Sequence, residues 1–159
     1  MRNEHDYAVS VEWTGNRGAG TQSVRGYGRD HVIRAAGGLE LLGSADPSFH
    51  GDADRWNPEQ LLLAALSQCH LMSYLYQAAK HGVVVESYRD DAVGVLRQAG
   101  EGGAFASATL RPVVTVSAGD PELARRLHAD AAETCFIRAS VAFPVGHEPT
   151  ILLADDPLS

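Results

Sequence analysis

The sequence has no long apolar run, no concentration of positive charge and little cysteine. In its 159 residues, no apolar run reaches the ~20 residues that a membrane-spanning helix needs. Lys and Arg are scattered and the formal net charge is −7, which gives no surface suited to nucleic acid. The two cysteines lie too far apart in the sequence for a compact zinc motif. We therefore expect no membrane or nucleic-acid partner, and no metal.

The N-terminal residues also lack the apolar segment of a secretory signal peptide. The start of the chain, Met1–Asp6, is mostly polar. We therefore expect a cytoplasmic protein, and in that compartment two cysteines are more often redox-active or inert than joined in a structural disulfide.

The composition is that of an ordinary globular protein, with 45% hydrophobic and 21% charged residues. A chain of this length can bury a core without cross-links, and no internal repeat divides it. We predict a single domain over residues 1–159.

Alternation and turn residues predict three strands in the first third of the chain. Apolar residues alternate over 7–13, which is typical of a half-buried strand. A second, irregular strand is predicted over 24–33, and Gly37-Gly38 marks a hairpin before a short third strand at 39–42. Loops are predicted at 15–20 and 43–56.

The strongest predicted element is a long helix that follows the second loop. Asn57 is a good N-cap, Pro58 suits the first helical position, and Glu59 complements the positive end of the helix dipole. The helix is predicted to run to about Lys80, and Gly82 ends it. Because its apolar residues cover nearly all sides, we expect a central helix, which a short chain covers most economically by self-association.

In the second half, a strand is predicted at 83–85, with a possible second piece of it at 88–96. Further strands are predicted at 105–116 and 140–143, and a helix is predicted from Pro121 to about Cys135. Pro112 inside one strand indicates an edge or a bulge. The predicted order is β-β-β-α-β-β-α-β. Because the helices do not alternate regularly with strands, the fold class is α+β.

Both cysteines fall in predicted helices, Cys69 in the long one and Cys135 near the end of the second. Two thiols that meet in a fold can carry out reversible redox chemistry, in which one attacks an oxidant and the other resolves the product as a disulfide. A buried cysteine by itself is more often inert packing.

The motif Asn57-Pro58-Glu59, with Cys69 ten positions after Glu59 and Cys135 late in the second helix, resembles the OsmC/Ohr family. These are the osmotically inducible protein C and organic hydroperoxide resistance proteins. The strand and turn at 13–21 also resemble the family, so the resemblance covers nearly the whole chain. It implies an intertwined homodimer, with long central helices, sheets wrapped around them and active sites at the interface.

The resemblance further implies an antioxidant, stress-response enzyme, a thiol peroxidase that reduces organic hydroperoxides without a cofactor. Cys69 matches the peroxidatic cysteine and Cys135 the resolving one, and an external dithiol would supply the electrons. Arg17 matches an arginine that lies against the peroxidatic sulfur, and Glu59 matches the glutamate that orients it.

Chemistry argued from the residues agrees with these roles. Burial makes a thiol a poor nucleophile, and an arginine beside it favours the thiolate. A buried arginine needs a counter-charge, which a carboxylate supplies. Arg25 and Arg29 are alternatives to Arg17 as the arginine beside the thiol. Glu59 precedes Cys69 by ~15 Å along a helix axis, so it can act on Cys69 only through an arginine or from the partner chain of a dimer. An apolar pocket for an alkyl peroxide is predicted from Leu62, Leu66, Met72 and Phe136.

Each cysteine has a histidine on its own predicted helix, and neither histidine is predicted to form a catalytic or metal site with it. His70 follows Cys69 directly, but adjacent helical residues point ~100° apart and do not face one site. His128 shares a helix face with Cys135, yet no further ligand is spaced for zinc.

Two other functions remain open on the same fold. One alternative to the peroxidase is a small-molecule binding protein whose thiols only pack, and the other is a redox sensor that uses the disulfide as a signal. The polar segment at 24–31 and the loop at 43–56 differ from the two founding branches of the family, which indicates a separate OsmC-like branch.

Overall fold

A computed structural model describes residues 3–154, so Met1 and Arg2 of the polar N-terminal segment lie outside it. The contacts divide the chain into two compact units, Met1–Leu61 and Leu62–Ser159, with the boundary near the start of the long helix. The prediction of a single domain stays a prediction.

The first unit is built on a three-stranded antiparallel sheet in the order β1-β2-β3. Its strands are β1 (Val9–Trp13), β2 (His31–Ala35) and β3 (Glu40–Gly43). Gly37 and Gly38 have φ of 83° and 80°, a conformation that side chains with a Cβ rarely adopt, and this confirms the predicted hairpin. The side chain of Arg34 bonds Glu12 and Glu40 on the two flanking strands, at 2.6 Å each.

The prediction of a strand over 24–33 is wrong for most of its length, because β2 begins only at His31. The guanidinium of Arg29 donates to the carbonyls of Val24 and Tyr27, at 2.6 and 2.8 Å. These bonds fold the segment back on itself and leave no extended backbone to pair. The predicted loop at 43–56 holds one short 3-10 helix, Pro47–Phe49.

The long helix α1 (Pro58–Lys80) has the predicted bounds. Its start is closed by a reciprocal pair of bonds: Gln60 N donates to Asn57 Oδ1 at 2.8 Å, and Asn57 N donates to Gln60 Oε1 at 3.1 Å. Gly82, with φ of 73°, follows its end.

The second unit carries two further three-stranded sheets. In one, β7 (Pro112–Ala118) lies between an antiparallel β4 (Val84–Asp90) and a parallel β9 (Thr150–Leu153). In the other, β6 (Gly102–Leu110) lies between an antiparallel β5 (Val93–Ala99) and a parallel β8 (Val145–His147). The core of the unit comprises Tyr74, Ala78, Val83, Val114, Val116, Ala124, Leu127 and Ala131.

Two predicted strands are corrected by this arrangement. The strand predicted over 105–116 is two strands in different sheets, because the chain breaks at Arg111 and Pro112 opens β7. The continuation predicted over 88–96 is likewise divided, between β4 and β5.

The strand predicted at 140–143 is wrong, because Ser140 still belongs to the end of a helix. Its backbone N–H donates to the Ile137 carbonyl at 3.0 Å and its hydroxyl to the Phe136 carbonyl at 2.7 Å. The last strands, β8 and β9, begin only at Val145.

The second predicted helix is α2 (Pro121–Glu133), capped by the Asp120 carboxylate. A single turn, α3 (Phe136–Ala139), follows it, and Cys135 is the N-cap of α3 and not a residue of α2 as predicted. The α+β class is confirmed. Among the described helices, none has both the length and the apolar character to cross a bilayer.

Candidate active site

The two cysteines are free thiols in the second unit, and they are close enough for a hydrogen bond between their side chains. Cys69 is half-buried in the middle of α1, and Cys135 is only 2% exposed. Burial, together with the hydrogen bond that its own S–H donates to Cys69, raises the pKa of Cys135 to about 11. Cys135 therefore keeps its proton at neutral pH and can donate it to the Cys69 sulfur.

The position of Cys135 follows from the local sequence between the two helices. The Thr134 hydroxyl donates to the Asp130 carbonyl at 3.0 Å and closes the last turn of α2. Cys135 is then extended, and its Sγ accepts the backbone N–H of Arg138 at 3.4 Å. This bond lowers the pKa of Cys135, but by less than burial and Cys69 raise it.

Three histidines from three elements stack together close to Cys135; we call His70, His128 and His147 the histidine cluster. The His70 Nε2 and His128 Nδ1 atoms lie 3.0 Å apart, and the two rings are 5.3 Å apart and nearly parallel. The His147 ring lies 5.7 Å from that of His70. In the His70–His128 bond, one neutral imidazole donates and the other accepts.

Burial keeps the histidine cluster uncharged at physiological pH. His70 is 1% and His128 0% exposed. Burial is the main cause that lowers the pKa of His70 to about 4 and that of His128 to about 3, and the neighbouring imidazoles add to it. The pKa of His147 is lowered too, by burial and by the charge of Arg138.

Two tyrosine rings lie near His128. The ring of Tyr74 stacks on His128 at 3.9 Å, and its hydroxyl donates to the Ala124 carbonyl at 3.1 Å. Burial raises the pKa of Tyr88, whose ring lies 6.5 Å from His128. Stacking on Tyr74 restricts the plane of the His128 ring and hence the direction of its bond to His70.

A small cavity joins the histidine cluster to Cys135. It has space for about one water molecule. Its lining comprises Leu66, His70, Leu110, Ala132, Cys135, Arg138, Val145, Gly146 and His147. The Arg138 Nε atom is buried and has no hydrogen-bond partner among residues 3–154. The cavity therefore brings a thiol, two imidazoles and a guanidinium together.

This histidine cluster was not predicted from the sequence. His70 does point away from Cys69, but it faces the cavity that Cys135 lines, and the packing assigned to His128 includes a buried polar bond. One signal was present: Leu66, His70 and Tyr74 recur every four residues, so His70 belongs to the buried face of α1. Nothing in the sequence singled out Arg138.

The arginines and the glutamate predicted for the site lie in the first unit. Arg17 is exposed and makes no ion pair with Glu59 in the part of the chain described. The Glu59 Oε2 atom is buried without a hydrogen-bond partner there. Arg29 is bound to its own loop, with its guanidinium 4.1 Å above the Tyr27 ring, and Arg25 is exposed.

The four residues predicted to form an apolar pocket do not come together in the cavity. Leu66 lines it, and Leu62 is half-buried elsewhere on α1. Met72 and Phe136 are 61% and 82% exposed. Within residues 3–154, no group of three or more His, Cys, Asp and Glu side chains is arranged to hold a metal ion.

Comparison with known proteins places the chain in a family. The sequence profile described as OsmC-like protein matches residues 51–148. An OsmC-like protein from Vibrio cholerae O1 biovar eltor is 31% identical, with a TM-score of 0.83 over 92% of this chain and 99% of that one. The chain therefore belongs to the OsmC-like protein family. None of the curated proteins matches it.

More distant solved structures share the fold. An organic hydroperoxide resistance protein from Elizabethkingia anophelis, with thiocyanate bound, is 17% identical with a TM-score of 0.69 over 96% of this chain and 99% of that one. A putative organic hydroperoxide resistance protein from Vibrio cholerae, with captopril in one of its active sites, is 22% identical with a TM-score of 0.66 over 95% of each chain.

Proposed function

We propose that this protein is a thiol-dependent peroxidase that reduces organic hydroperoxides through Cys69 and Cys135. The observation that carries the proposal is the pair of adjacent free thiols, of which Cys135 keeps its proton. A protonated thiol that donates to a neighbouring sulfur stabilises negative charge on that sulfur. Cys69 is accordingly the nucleophile, and Cys135 is the resolving thiol.

The reaction has two oxidative steps and one reductive step. The Cys69 thiolate attacks the terminal peroxide oxygen, the O–O bond breaks, and the alkoxide leaves and is protonated to the alcohol, with a sulfenic acid left on Cys69. The Cys135 sulfur then attacks the Cys69 sulfur, the S–O bond breaks and water leaves. An external dithiol reduces the resulting disulfide. The balance requires no cofactor.

Arg17 and Glu59 complete the proposed site through the family resemblance. Arg17 would hold the Cys69 thiolate and the peroxide oxygens, and Glu59 would orient it. The buried Glu59 oxygen without a partner supports a cation close by, since an unpaired buried carboxylate is costly.

We further infer that the working form is a homodimer in the cytoplasm. Three large apolar residues near the end of α1 are exposed in the single chain: Met72 by 61%, Leu75 by 40% and Tyr76 by 66%. A second copy that covered them would remove this surface from water. A dimer would also let one chain's Glu59 reach the other chain's Cys69.

Steady-state reduction of cumene hydroperoxide with a dithiol tests the proposal. We expect Cys69→Ser to abolish turnover, because the remaining thiol, Cys135, is buried and keeps its proton, which makes it a poor nucleophile. Wild-type protein and Cys135→Ser are the matched comparisons, since the second keeps the attacking thiol. Turnover by Cys69→Ser within a few-fold of wild type would rule out the assignment and favour a binding protein or a sensor.

A further inference from the structure

We propose that His70 is the proton acceptor for Cys135 when the disulfide closes, and that His128 positions His70 for this step. The inference rests on the proposed function and concerns its second chemical step. For that step, the family resemblance implies only the two cysteines and no base. The structure adds a buried imidazole pair on the same cavity as the resolving thiol.

A base is needed because Cys135 is the nucleophile of the second step and carries a proton. Burial raises the pKa of the Cys135 thiol, so at neutral pH almost all of it is protonated. A buried thiol with no base nearby would therefore attack the sulfenic acid slowly.

The geometry around the cavity supplies the base. His70 and Cys135 line a space that holds about one water, so a proton can pass between them directly or through a single water. When His70 Nε2–H donates to His128 Nδ1, across the 3.0 Å bond, the Nδ1 lone pair of His70 is free to accept. The order nucleophile, base and orienting group is that of activated cysteines generally.

The proton is returned within the same step, so the reaction balances. The Cys135 sulfur forms the S–S bond as its proton moves to His70, and the S–O bond of the Cys69 sulfenic acid breaks. The departing hydroxide takes the proton from His70 and leaves as water. His70 is neutral before and after, and no oxidant or reductant beyond the peroxide is required.

The charged and titratable groups around His70 and His128 come from several elements. They are His147 on β8, Arg138 on α3, Arg125 on α2, Tyr74 on α1 and Tyr88 on β4, with Asp90 acting on Tyr88. Arg138 disfavours a positive charge on His70 but favours a negative charge on Cys135. Because proton transfer from Cys135 to His70 creates both charges at once, the effect of Arg138 on His70 opposes its effect on Cys135.

The test is a single-turnover experiment on the whole protein, in which peroxide first converts Cys69 to the sulfenic acid. The rate of disulfide closure is then followed by loss of dimedone labelling and by thiol counting. We expect His70→Gln to slow closure of the disulfide about 100-fold, the usual contribution of a general base. The rate at which the Cys69 sulfenic acid forms, a step in which His70 takes no part, should stay within about two- to threefold of wild type. His81→Gln, at an exposed histidine just beyond α1, should close at the wild-type rate.

The pH profile separates a proton acceptor from a merely structural residue. In the wild type, the rate of closure should be level from about pH 6 to 8, because His70, with a pKa of about 4, stays unprotonated throughout that range. In His70→Gln, the rate of disulfide closure should rise about tenfold per pH unit, as expected for a thiol that must ionise without a base. This wild-type measurement needs no variant and holds even if His70→Gln does not fold.

Two outcomes are distinguishable. Absence of any sulfenic acid on wild-type Cys69 overturns the proposed function and this inference with it. A sulfenic acid that closes as fast in folded His70→Gln as in wild type, or a tenfold rise per pH unit in wild type, overturns only the role of His70.

Discussion

Acid should destabilise this protein through its two buried histidines. His70 and His128 are neutral in the fold, with pKa values of about 4 and about 3, whereas an imidazole in the unfolded chain titrates near 6.5. Below pH 6.5 the unfolded state therefore binds more protons than the folded state. The contribution of the neutral histidines to the free energy of unfolding is complete above about pH 6.5. As the pH falls below that value, this contribution is lost progressively, until His70 is protonated in the fold at about pH 4 and His128 at about pH 3.

The magnitude follows from these pKa values. Between pH 7.5 and pH 5, each histidine removes about 2 kcal/mol from the free energy of unfolding, or about 4 kcal/mol for the pair. Screening by solvent does not reduce this contribution, because the His70 and His128 side chains are at most 1% exposed. For a chain of this length, a loss of about 4 kcal/mol lowers the melting temperature by about 10 °C.

Urea unfolding at pH 7.5 and pH 5, at one protein concentration, measures the effect. The double variant His70→Leu/His128→Phe removes both titrating groups and should flatten the pH dependence. His81→Gln, at the exposed histidine after the same helix, should keep it. Two results would contradict a role of these histidines in acid destabilisation: a wild-type free energy of unfolding that changes by less than about 1 kcal/mol, or a double variant whose free energy of unfolding falls as much as that of the wild type.

Three further predictions concern the proposed chemistry and assembly. Cys135→Ser should allow Cys69 to over-oxidise, so mass spectrometry after peroxide should find a sulfinic acid at Cys69; an unmodified thiol would contradict the pair. Arg17→Ala should slow the reaction of Cys69 with peroxide, because the thiolate loses its cation, and an unchanged pH profile of Cys69 alkylation would point to Arg29 or Arg25 instead. Unfolding should depend on protein concentration if the homodimer is obligate, and a folded, active monomer in sedimentation at micromolar concentration would refute it.

The bounds of α1 could be predicted because local residues determine them. Asn57 closes the first turn through Gln60, and Gly82 ends the helix by adopting a positive φ. The hairpin at Gly37-Gly38 was predictable for the same reason. The strands of the second half were not, because their breaks depend on which sheet each segment joins, as the separation of β6 from β7 at Pro112 illustrates.

The cysteine pair was identified as a candidate from motif and spacing, but its surroundings were not. His70 and His128 lie 58 positions apart, and their bond exists only because α1 and α2 pack together. In the sequence each is a single histidine on an apolar helix face, which does not distinguish a packed ring from a functional one.

The sequence by itself determined the long capped helix, the α+β class and the two thiols that define the candidate chemistry, because caps, apolar periodicity and cysteine positions are local features. Only the tertiary structure decided what surrounds Cys135. Burial sets its protonation state, and burial and the stacked histidines depend on contacts between residues remote in the chain.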